Sequence, residues 1–298
     1  MWTAKEIKQP YMIAYGPGVN VDDAMVRQFA EAGANILQMN DWHEVSEAKR
    51  VSVSQIAQKY HVGLLPWGFF DSQTREPTLR KWSPDPSIFG WFMWDEPGRD
   101  EPYPLSLRQQ VAQQMRDYTG GQGKLVSIWD DPVWGVNIGP GLADIVGYAV
   151  AYPFEHADIA NPLAWTTARC NLYGYGGGAL QKAREAGMLV IPVLQSWVKK
   201  VVVPDILGQY QAYLNCFPFD PSAYLYDPSN HIVKVPEVKA LVQQLTVQLG
   251  GTLWEPTEEF TTQEITCSGC GARLELTMSS IPEKNVSQGC PVCGTPAD

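Results

Sequence analysis

Eight short apolar runs, each followed by an amphipathic segment, occupy the first 250 residues of this 298-residue chain. The runs are YMIAYGPG, NILQMNDW, VGLLPWGFF, GWFMWDEP, KLVSIWDD, DIVGYAVAYPF, MLVIPVLQSW and AYLYD. Continuous apolar runs are typical of parallel strands that are buried on both faces of a sheet. The length, the number of runs and their alternation with helical segments predict a (β/α)8 barrel, an α/β fold, over residues 1–250.

An open, doubly wound sheet is the structural alternative, because it is built from the same alternation of strands and helices. Such sheets often carry a G-x-G-x-x-G fingerprint after the first strand. The corresponding segment here, AYGPGVNVDD, lacks that spacing, so we favour the barrel. We expect only a short helix in the polar, Pro-rich segment after the third run, and a long Gly-containing connection after the sixth.

Composition limits the classes of partner. Hydrophobic residues make up 45% of the chain, charged residues 18%, and the net charge is −10. This acidic balance argues against nucleic acid and anionic membranes, which select basic surfaces. The sequence contains no apolar run of transmembrane length and no evident signal peptide.

Four of the six cysteines form two C-x-x-C pairs near the C-terminus: Cys267 with Cys270, and Cys290 with Cys293. Two such pairs are typical of a tetrahedral structural zinc site, and ARLELTMSS between them alternates like a strand. The sequence therefore predicts a zinc ribbon over residues 264–298 that binds one zinc ion, preceded by a linker or docking arm over 251–263. Disulfides or an iron–sulfur cluster are the alternatives.

So small a module depends on its metal for folding energy, and a closed four-sulfur site leaves no position open for chemistry. We expect it to pack on the barrel or to dock a protein partner. Retained thiolates indicate folding in a reducing compartment. A cytoplasmic protein, unconventional export, or a component of a virus particle that is released by lysis would each fit. Cys170 and Cys216 are interpreted as small, buried apolar side chains.

In barrel enzymes the active site lies at the C-terminal ends of the strands, so the residues that end each run are the site candidates. They are Asn40, Asp41, Trp42 and His43 after the second run, Trp67 in the third, Trp94, Asp95 and Glu96 in the fourth, Trp129, Asp130 and Asp131 in the fifth, Tyr152 in the sixth, Gln195 and Trp197 in the seventh, and Tyr226 and Asp227 in the eighth.

Five of these eight strand ends carry Trp. Indole rings interspersed with carboxylates suit sugars, whose C–H faces pack on aromatic rings and whose hydroxyls need polar partners. The pattern predicts a carbohydrate-binding cleft lined by Trp42, Trp67, Trp94, Trp129 and Trp197, with polar contacts from Asp41, Asp95, Asp130, Tyr152 and Gln195. The alternative is that these Trp side chains are core packing.

The fourth run, Gly90-Trp-Phe-Met-Trp-Asp-Glu-Pro, resembles the fourth-strand motif of clan A glycoside hydrolases, in which an Asn-Glu-Pro-like sequence ends the strand. The resemblance implies that Glu96 is the general acid/base, with Asp95 in place of the Asn. Glu96 could instead cap the next helix or pair with Arg99. The clan also carries a nucleophilic Glu at the end of the seventh strand, where this chain has Gln195.

Three functions therefore stay open. The first is an active glycosidase with Glu96 as proton donor and a second carboxylate as its partner, for which Asp131 and Asp227 are favoured and Asp41, Asp130 and Glu155 are also available. The second is a carbohydrate-binding barrel or interaction module that lacks catalysis, in which Gln195 forms hydrogen bonds only. The third is a metal-assisted barrel enzyme that uses Asp41, His43 and Asp227. We favour the glycosidase.

Overall fold

Eight parallel strands form one sheet, in the order β3-β2-β1-β8-β7-β6-β5-β4, that curves into a nearly closed barrel. The strands are β1 (Met12–Tyr15), β2 (Ile36–Met39), β3 (Gly63–Pro66), β4 (Gly90–Asp95), β5 (Lys124–Asp130), β6 (Ile145–Ala149), β7 (Leu189–Gln195) and β8 (Ala223–Tyr226). Strand β1 pairs with both β2 and β8, which joins the first strand to the last. The predicted (β/α)8 barrel is confirmed.

The structure is a computed structural model that describes residues 2–16, 18, 21–68, 72–95, 105–130, 139–150, 154, 161–175, 178–198, 203–255, 260–266 and 273–279. It describes only the backbone of residues 72–74, 94–95, 130, 173–175, 260–266 and 273–279.

The barrel closes between β3 and β4 through isolated contacts rather than through a continuous ladder. Single parallel bridges join Leu64 to Ile88 and Trp67 to Phe92. The backbone N–H of Phe89 donates to the carbonyl of Leu64, at 2.9 Å, and that of Gly68 donates to the carbonyl of Phe92, at 2.7 Å. The two edges of the sheet therefore meet, and the C-terminal ends of β3 and β4 are neighbours.

Helices surround the barrel, and several begin at a polar residue that caps them. The helices are α1 (Asp23–Glu31), α2 (Glu47–Lys59), α3 (Ser72–Trp82), α4 (Leu105–Thr119), α5 (Pro162–Arg169), α6 (Ala179–Glu185), α7 (Ile206–Leu214), α8 (His231–Lys234) and α9 (Pro236–Gln248). The side chains of Asp22, Ser46, Asn161 and Asp205 each accept a hydrogen bond from a backbone N–H in the first turn of α1, α2, α5 and α7. These contacts satisfy N–H groups that have no partner within the helix.

Alternate residues of each strand belong to two separate cores. Residues such as Ile13, Phe92 and Tyr224 fill the barrel interior, whereas Met12, Trp91 and Leu225 pack beneath the helices. Successive side chains of a strand point to opposite faces, so one strand supplies both cores. Which core a strand-end residue joins decides whether it can contribute to a site inside the barrel.

The N-terminal segment packs against the end of the interior that lies opposite the strand C-termini. A 3₁₀ helix, Ala4–Glu6, places Ala4 in the interior core with no exposed surface, and Ile7 packs beside it. The backbone N–H of Ala4 donates to the carbonyl of Pro86, at 2.7 Å, just before β4. We call the other end, where the strands finish, the mouth of the barrel.

Three local features differ from the sequence-based expectations. Helix α3 runs for 11 residues with Pro77 inside it, where only a short helix was expected. The connection after β6 contains α5 and a π-helical segment, Cys170–Tyr175. Cys170 and Cys216 form a disulfide, with their Cα atoms 6.1 Å apart, rather than acting as separate buried side chains. They come together because α5 and α7, which precede them, pack against each other.

The chain divides into two compact units, Met1–Trp254 and Glu255–Asp298. The first unit extends past residue 250 because Trp254 packs edge-on against Tyr60, with ring centroids 5.1 Å apart. In the second unit, β9 (Phe260–Thr266) and β10 (Arg273–Ser279) form an antiparallel pair. Strand β9 starts inside the stretch predicted as a linker, and β10 covers most of the strand predicted between the cysteine pairs. The four cysteines lie outside the described residues.

None of the helices in the described part of the chain combines the length and the apolar character needed to span a bilayer.

Candidate functional site

Four half-buried side chains from adjacent strands line one side of the mouth. Tyr226 ends β8, Tyr15 ends β1, and Asn40 and Trp67 each follow the last residues of β2 and β3. The three aromatic rings pack against the interior core, and the Asn40 side chain bonds to the hydroxyl of Tyr15. We call these four residues the interior wall, since they follow or end four neighbouring strands at the end of the fold where barrel enzymes carry their active sites.

Aromatic contacts hold the rings of the interior wall in place. Tyr15 and Tyr226 meet edge to face with centroids 4.9 Å apart, and Tyr226 meets Trp197 edge to face at 5.1 Å. Trp67 packs on Phe92 of β4 at 5.2 Å. Edge-to-face contacts of this kind stabilise aromatic pairs beyond the area that they bury. The wall is therefore fixed at both ends, by β7 on one side and by β4 on the other.

A chain of hydrogen bonds beneath the wall orients the amide of Asn40. The hydroxyl of Tyr224 donates to the side-chain oxygen of Gln38, whose amide nitrogen donates to the side-chain oxygen of Asn40. The amide nitrogen of Asn40 in turn donates to the hydroxyl of Tyr15. Tyr224 is fully buried and Gln38 is 1% exposed, so these polar groups depend on each other for partners.

The side chain of Gln195, at the end of β7, forms hydrogen bonds with the loops after β6 and after β7. Its side-chain oxygen accepts from the backbone N–H of Phe154 at 3.0 Å, and its amide nitrogen donates to the carbonyl of Trp197 at 3.4 Å. Its backbone is bonded in both directions to the side chain of Gln209. The residue is 1% exposed. Gln195 therefore links the loop after β6 to the end of β7.

Asp227, after β8, is fully buried, and burial is the main cause that raises the pKa of its carboxyl group. Hydrogen bonds from backbone N–H groups oppose that shift, among them the one from Ile232 at 2.7 Å. Its other oxygen, Oδ1, has no hydrogen-bond partner among the described residues. Asp227 thus organises the turn into α8, where His231 Nδ1 accepts from the backbone N–H of Val198 at 2.6 Å.

Three of the predicted cleft Trp residues are buried. Trp42 (1% exposed) packs against Trp82, with centroids 5.4 Å apart, and Trp129 (4% exposed) donates to the Ser127 hydroxyl at 3.0 Å. Both belong to the core beneath the helices. Trp197 is 7% exposed and supports Tyr226 from behind. The packing alternative therefore describes Trp42 and Trp129. Trp129 alternates with Ile128 along β5 and so points away from the interior, whereas Trp42 lies in the turn after β2 and packs beneath the helices from there.

Asp41 also lies on the outer side of the sheet. It lines a small cavity of about 10 Å³ together with Met39, Trp42 and Lys49, between β2 and α2. His43 is exposed and 3.6 Å from Glu44. Within the described ranges no three His, Cys, Asp or Glu side chains converge as metal ligands, so the set Asp41, His43 and Asp227 forms no such group.

Several predicted site residues fall outside what the structure describes. Glu96, Asp131 and Tyr152 are among the residues that it omits, and Trp94, Asp95 and Asp130 are described by their backbone alone. Asp95 is the last residue of β4, and Asp130 is the last residue of β5. In the chain, Glu96 and Asp131 follow these two strand ends directly.

The sequence analysis named Asn40 as a strand-end candidate but missed Gln38, Tyr15 and Tyr224, to which it is linked by hydrogen bonds. Gln38 interrupts the otherwise apolar strand ILQM, and Asn40 follows it at the spacing that returns a strand side chain to the same face. A polar residue inside a buried strand needs a hydrogen-bond partner, so Gln38 was the sequence signal that could have indicated a buried network. Tyr15 and Tyr224 gave no such signal, since tyrosine is common in strands for packing reasons alone.

No family model and no curated protein matches the chain. Among solved structures, a β-galactosidase from the Antarctic haloarchaeon Halorubrum lacusprofundi matches with a TM-score of 0.55 and 8% identity, over 80% of this chain and 58% of that one. A β-mannanase from Alicyclobacillus acidocaldarius matches with a TM-score of 0.50 and 10% identity, over 82% and 99%.

A Lactobacillus rhamnosus β-glucuronidase matches with a TM-score of 0.48 and 13% identity, over 76% of this chain and 45% of that one. The chain thus spans less than two thirds of the galactosidase and glucuronidase chains and nearly all of the mannanase chain. At these identities the likeness concerns the fold, and the chain shares a (β/α)8 barrel with the β-galactosidase and the β-mannanase.

Proposed function

We propose that the chain is a glycoside hydrolase that binds a poly- or oligosaccharide at the mouth of the barrel. The observation that carries this proposal is the interior wall, in which half-buried aromatic rings flank an oriented amide at the end of the barrel where enzymes of this fold act. Rings that pack on C–H faces and amides that bond hydroxyls suit a sugar. The fold shared with glycoside hydrolases supports the same class of substrate.

In this proposal Glu96 is the general acid/base. It follows the last residue of β4, and β4 lies beside Trp67 of the interior wall. Asp131, which follows the end of β5, is the favoured second carboxylate. Asp227 is less suited, since it is buried and engaged by backbone N–H groups of its own turn. Trp67, Trp94, Asp95, Asp130 and Tyr152 are proposed substrate contacts.

The separation of the two carboxyl groups would determine the stereochemistry. A separation of about 6.5–9.5 Å leaves room for a water and gives inversion, whereas about 5–5.5 Å gives a covalent intermediate and retention. Proton nuclear magnetic resonance of the first sugar product distinguishes the two outcomes.

A barrel that binds carbohydrate without cleaving it is the second candidate. The observation that favours it is that β7 ends in Gln195, at the position where the resemblance implies a nucleophilic Glu. The side-chain amide of Gln195 accepts from the N–H of Phe154, donates to the carbonyl of Trp197 and is 1% exposed, so it supports the loops rather than a reaction.

Hydrolysis is tested by screening a glycan library with the wild type beside Glu96→Gln. Loss of the proton donor should lower the rate by about 100-fold or more, while Glu237→Gln, an exposed change at the start of α9, should leave it unaltered. Full activity in Glu96→Gln would exclude Glu96 as the acid. Binding without any cleavage by the wild type would favour the second candidate.

We further propose that Cys267, Cys270, Cys290 and Cys293 bind one structural zinc ion. The β9–β10 pairing supports this, because it brings Thr266 opposite Arg273 and so draws together the ends of the segment that holds Cys267 and Cys270. Metal analysis should give one zinc per chain, which Cys290→Ser removes and Cys216→Ala retains. A zinc content that is unaffected by Cys290→Ser would contradict the assignment.

A further inference from the structure

The mouth of the barrel is built from uncharged groups on the side of the interior wall. Tyr226, Tyr15, Asn40 and Trp67 carry no charge, nor does Gln195 beside them. Within the described parts of β1–β8, Lys124 is the single Lys or Arg, and it is exposed at the start of β5, away from the mouth. The chain as a whole carries a net charge of −10.

An anionic sugar would find little to bind on such a surface. A uronate carboxylate that enters a partly desolvated site needs Arg, Lys or a set of oriented N–H groups to replace its water. The interior wall and Gln195 offer phenols, an indole and amides instead, β4 and β5 end in Asp95 and Asp130, and the protein as a whole is acidic. Neutral hydroxyls carry a smaller desolvation penalty than a carboxylate, and hydrogen bonds to these amides and phenols offset it.

Asn40 is the group best placed to form hydrogen bonds with a neutral hydroxyl. One lone pair of its amide oxygen accepts from Gln38, and one amide hydrogen bonds to Tyr15. An amide has two acceptor positions and two donor hydrogens, so one of each is left for a ligand on this half-buried side chain. The bonds to Gln38 and Tyr15 hold the amide in one orientation, which reduces the entropy lost on binding.

We propose that the interior wall is a subsite for an uncharged sugar ring, with Asn40 as its specificity-determining residue. This inference rests on the proposed carbohydrate substrate, although it does not require that the bond is cleaved. Trp67 and Tyr226 pack on the faces of the sugar ring. Asn40 donates one hydrogen bond to a sugar hydroxyl and accepts one from another. The buried pair of Gln38 and Tyr224 positions Asn40 without touching the sugar.

The test measures binding by calorimetry with Glu96→Gln, in which the proposed proton donor is replaced by a neutral group of the same shape. The probes are neutral β-linked gluco-, manno- and galacto-oligosaccharides and uronate oligosaccharides of equal length. At least one neutral probe should bind about tenfold or more tightly than every uronate. Equal or tighter binding of a uronate, or binding of none of the probes, would overturn the inference.

Substitutions of Asn40 in the same background separate recognition from folding. Asn40→Asp should weaken binding of the neutral probe about tenfold, because a carboxylate cannot donate to Tyr15 or to the sugar. Asn215→Asp, an exposed change after α7, should leave it unchanged. Asn40→Lys should lower the ratio of the affinity for the neutral probe to the affinity for the uronates, because the ammonium group attracts a carboxylate. A purely structural role of Asn40 would not change this ratio. An unchanged ratio in Asn40→Lys would contradict the assignment.

The two proposals fail in different ways. If the wild type binds a neutral sugar more tightly than every uronate and cleaves none of them, the subsite proposal holds and the hydrolase proposal fails. If the wild type cleaves a uronate polymer through Glu96, the hydrolase proposal stands and the neutral subsite fails.

Discussion

The hydroxyl of Tyr224 in β8 donates a hydrogen bond to the side-chain oxygen of Gln38 in β2, inside the barrel and 186 residues away in the chain. Between these strands lies β1, whose Tyr15 is bonded to Asn40 in the same network. The network therefore joins the first and last strands of the barrel by side chains as well as by backbone. It links the buried interior to the proposed sugar subsite.

Tyr224→Phe should destabilise the barrel by about 1–3 kcal/mol, because it leaves the buried oxygen of Gln38 without that donor. Urea denaturation measures the change. Tyr60→Phe is the matched control, since its hydroxyl bonds to the half-exposed Asp23 and its loss should cost less. An equal loss of unfolding free energy in the two variants would mean that the interior hydrogen bond stabilises the protein no more than the half-exposed one does.

Gln195→Glu should not create a nucleophile, although it restores the residue type expected from the resemblance. A carboxylate at this 1% exposed position would oppose the carbonyl of Trp197 and cost about 3 kcal/mol at neutral pH. The cost should shrink as the pH falls and the new Glu becomes protonated. Denaturation at several pH values, with exposed Gln244→Glu as control, measures it. A gain in glycosidase activity would contradict the supporting role of Gln195.

Asp227→Asn should change how stability depends on pH. Burial raises the pKa of Asp227 above its ordinary value of 3.8, so the folded state holds this proton more tightly than the unfolded state. Its contribution to stability is therefore full below that value and is lost as the pH rises through the raised pKa. Each pH unit within this window is worth about 1.4 kcal/mol, or roughly 3 °C in Tm.

The expected measurement is a Tm difference, Asp227→Asn minus wild type, that increases with pH across the window. Asp117→Asn, an exposed change on α4, should show no such trend. A difference that stays constant from acid to neutral pH would show that Asp227 is ionised in the folded protein without cost.

Cys216→Ala should lower the stability of the barrel by about 4 kcal/mol, because the disulfide with Cys170 closes a loop of 46 residues. In denaturant with a chelator, the wild type should expose four reactive thiols, since two of its six cysteines are paired. Six thiols would contradict the disulfide. The result bears on the predicted reducing compartment, because disulfides persist in oxidising ones.

The barrel could be predicted from the sequence because its signal is local. Eight apolar runs with helical segments between them describe parallel strands that are covered on both sides, and that pattern appears within short windows. The caps at Asp22, Ser46 and Asn161 are equally local. Helix α3 was underestimated because Pro77 and its polar neighbours weaken the same local signal, which packing against α4 overrides.

The candidate site was only partly predictable, because strand ends specify position along the barrel but not the face. The sequence by itself determined that Trp42, Trp67 and Trp129 come at the ends of strands. Only the tertiary structure decided that Trp67 joins the interior wall while Trp42 and Trp129 pack beneath the helices. For Trp67 and Trp129 the physical reason is that a single residue of register moves a strand side chain to the opposite core, and register is set by pairing between distant strands. Trp42 lies in the turn after β2, where the packing of the turn against the helices sets its direction instead.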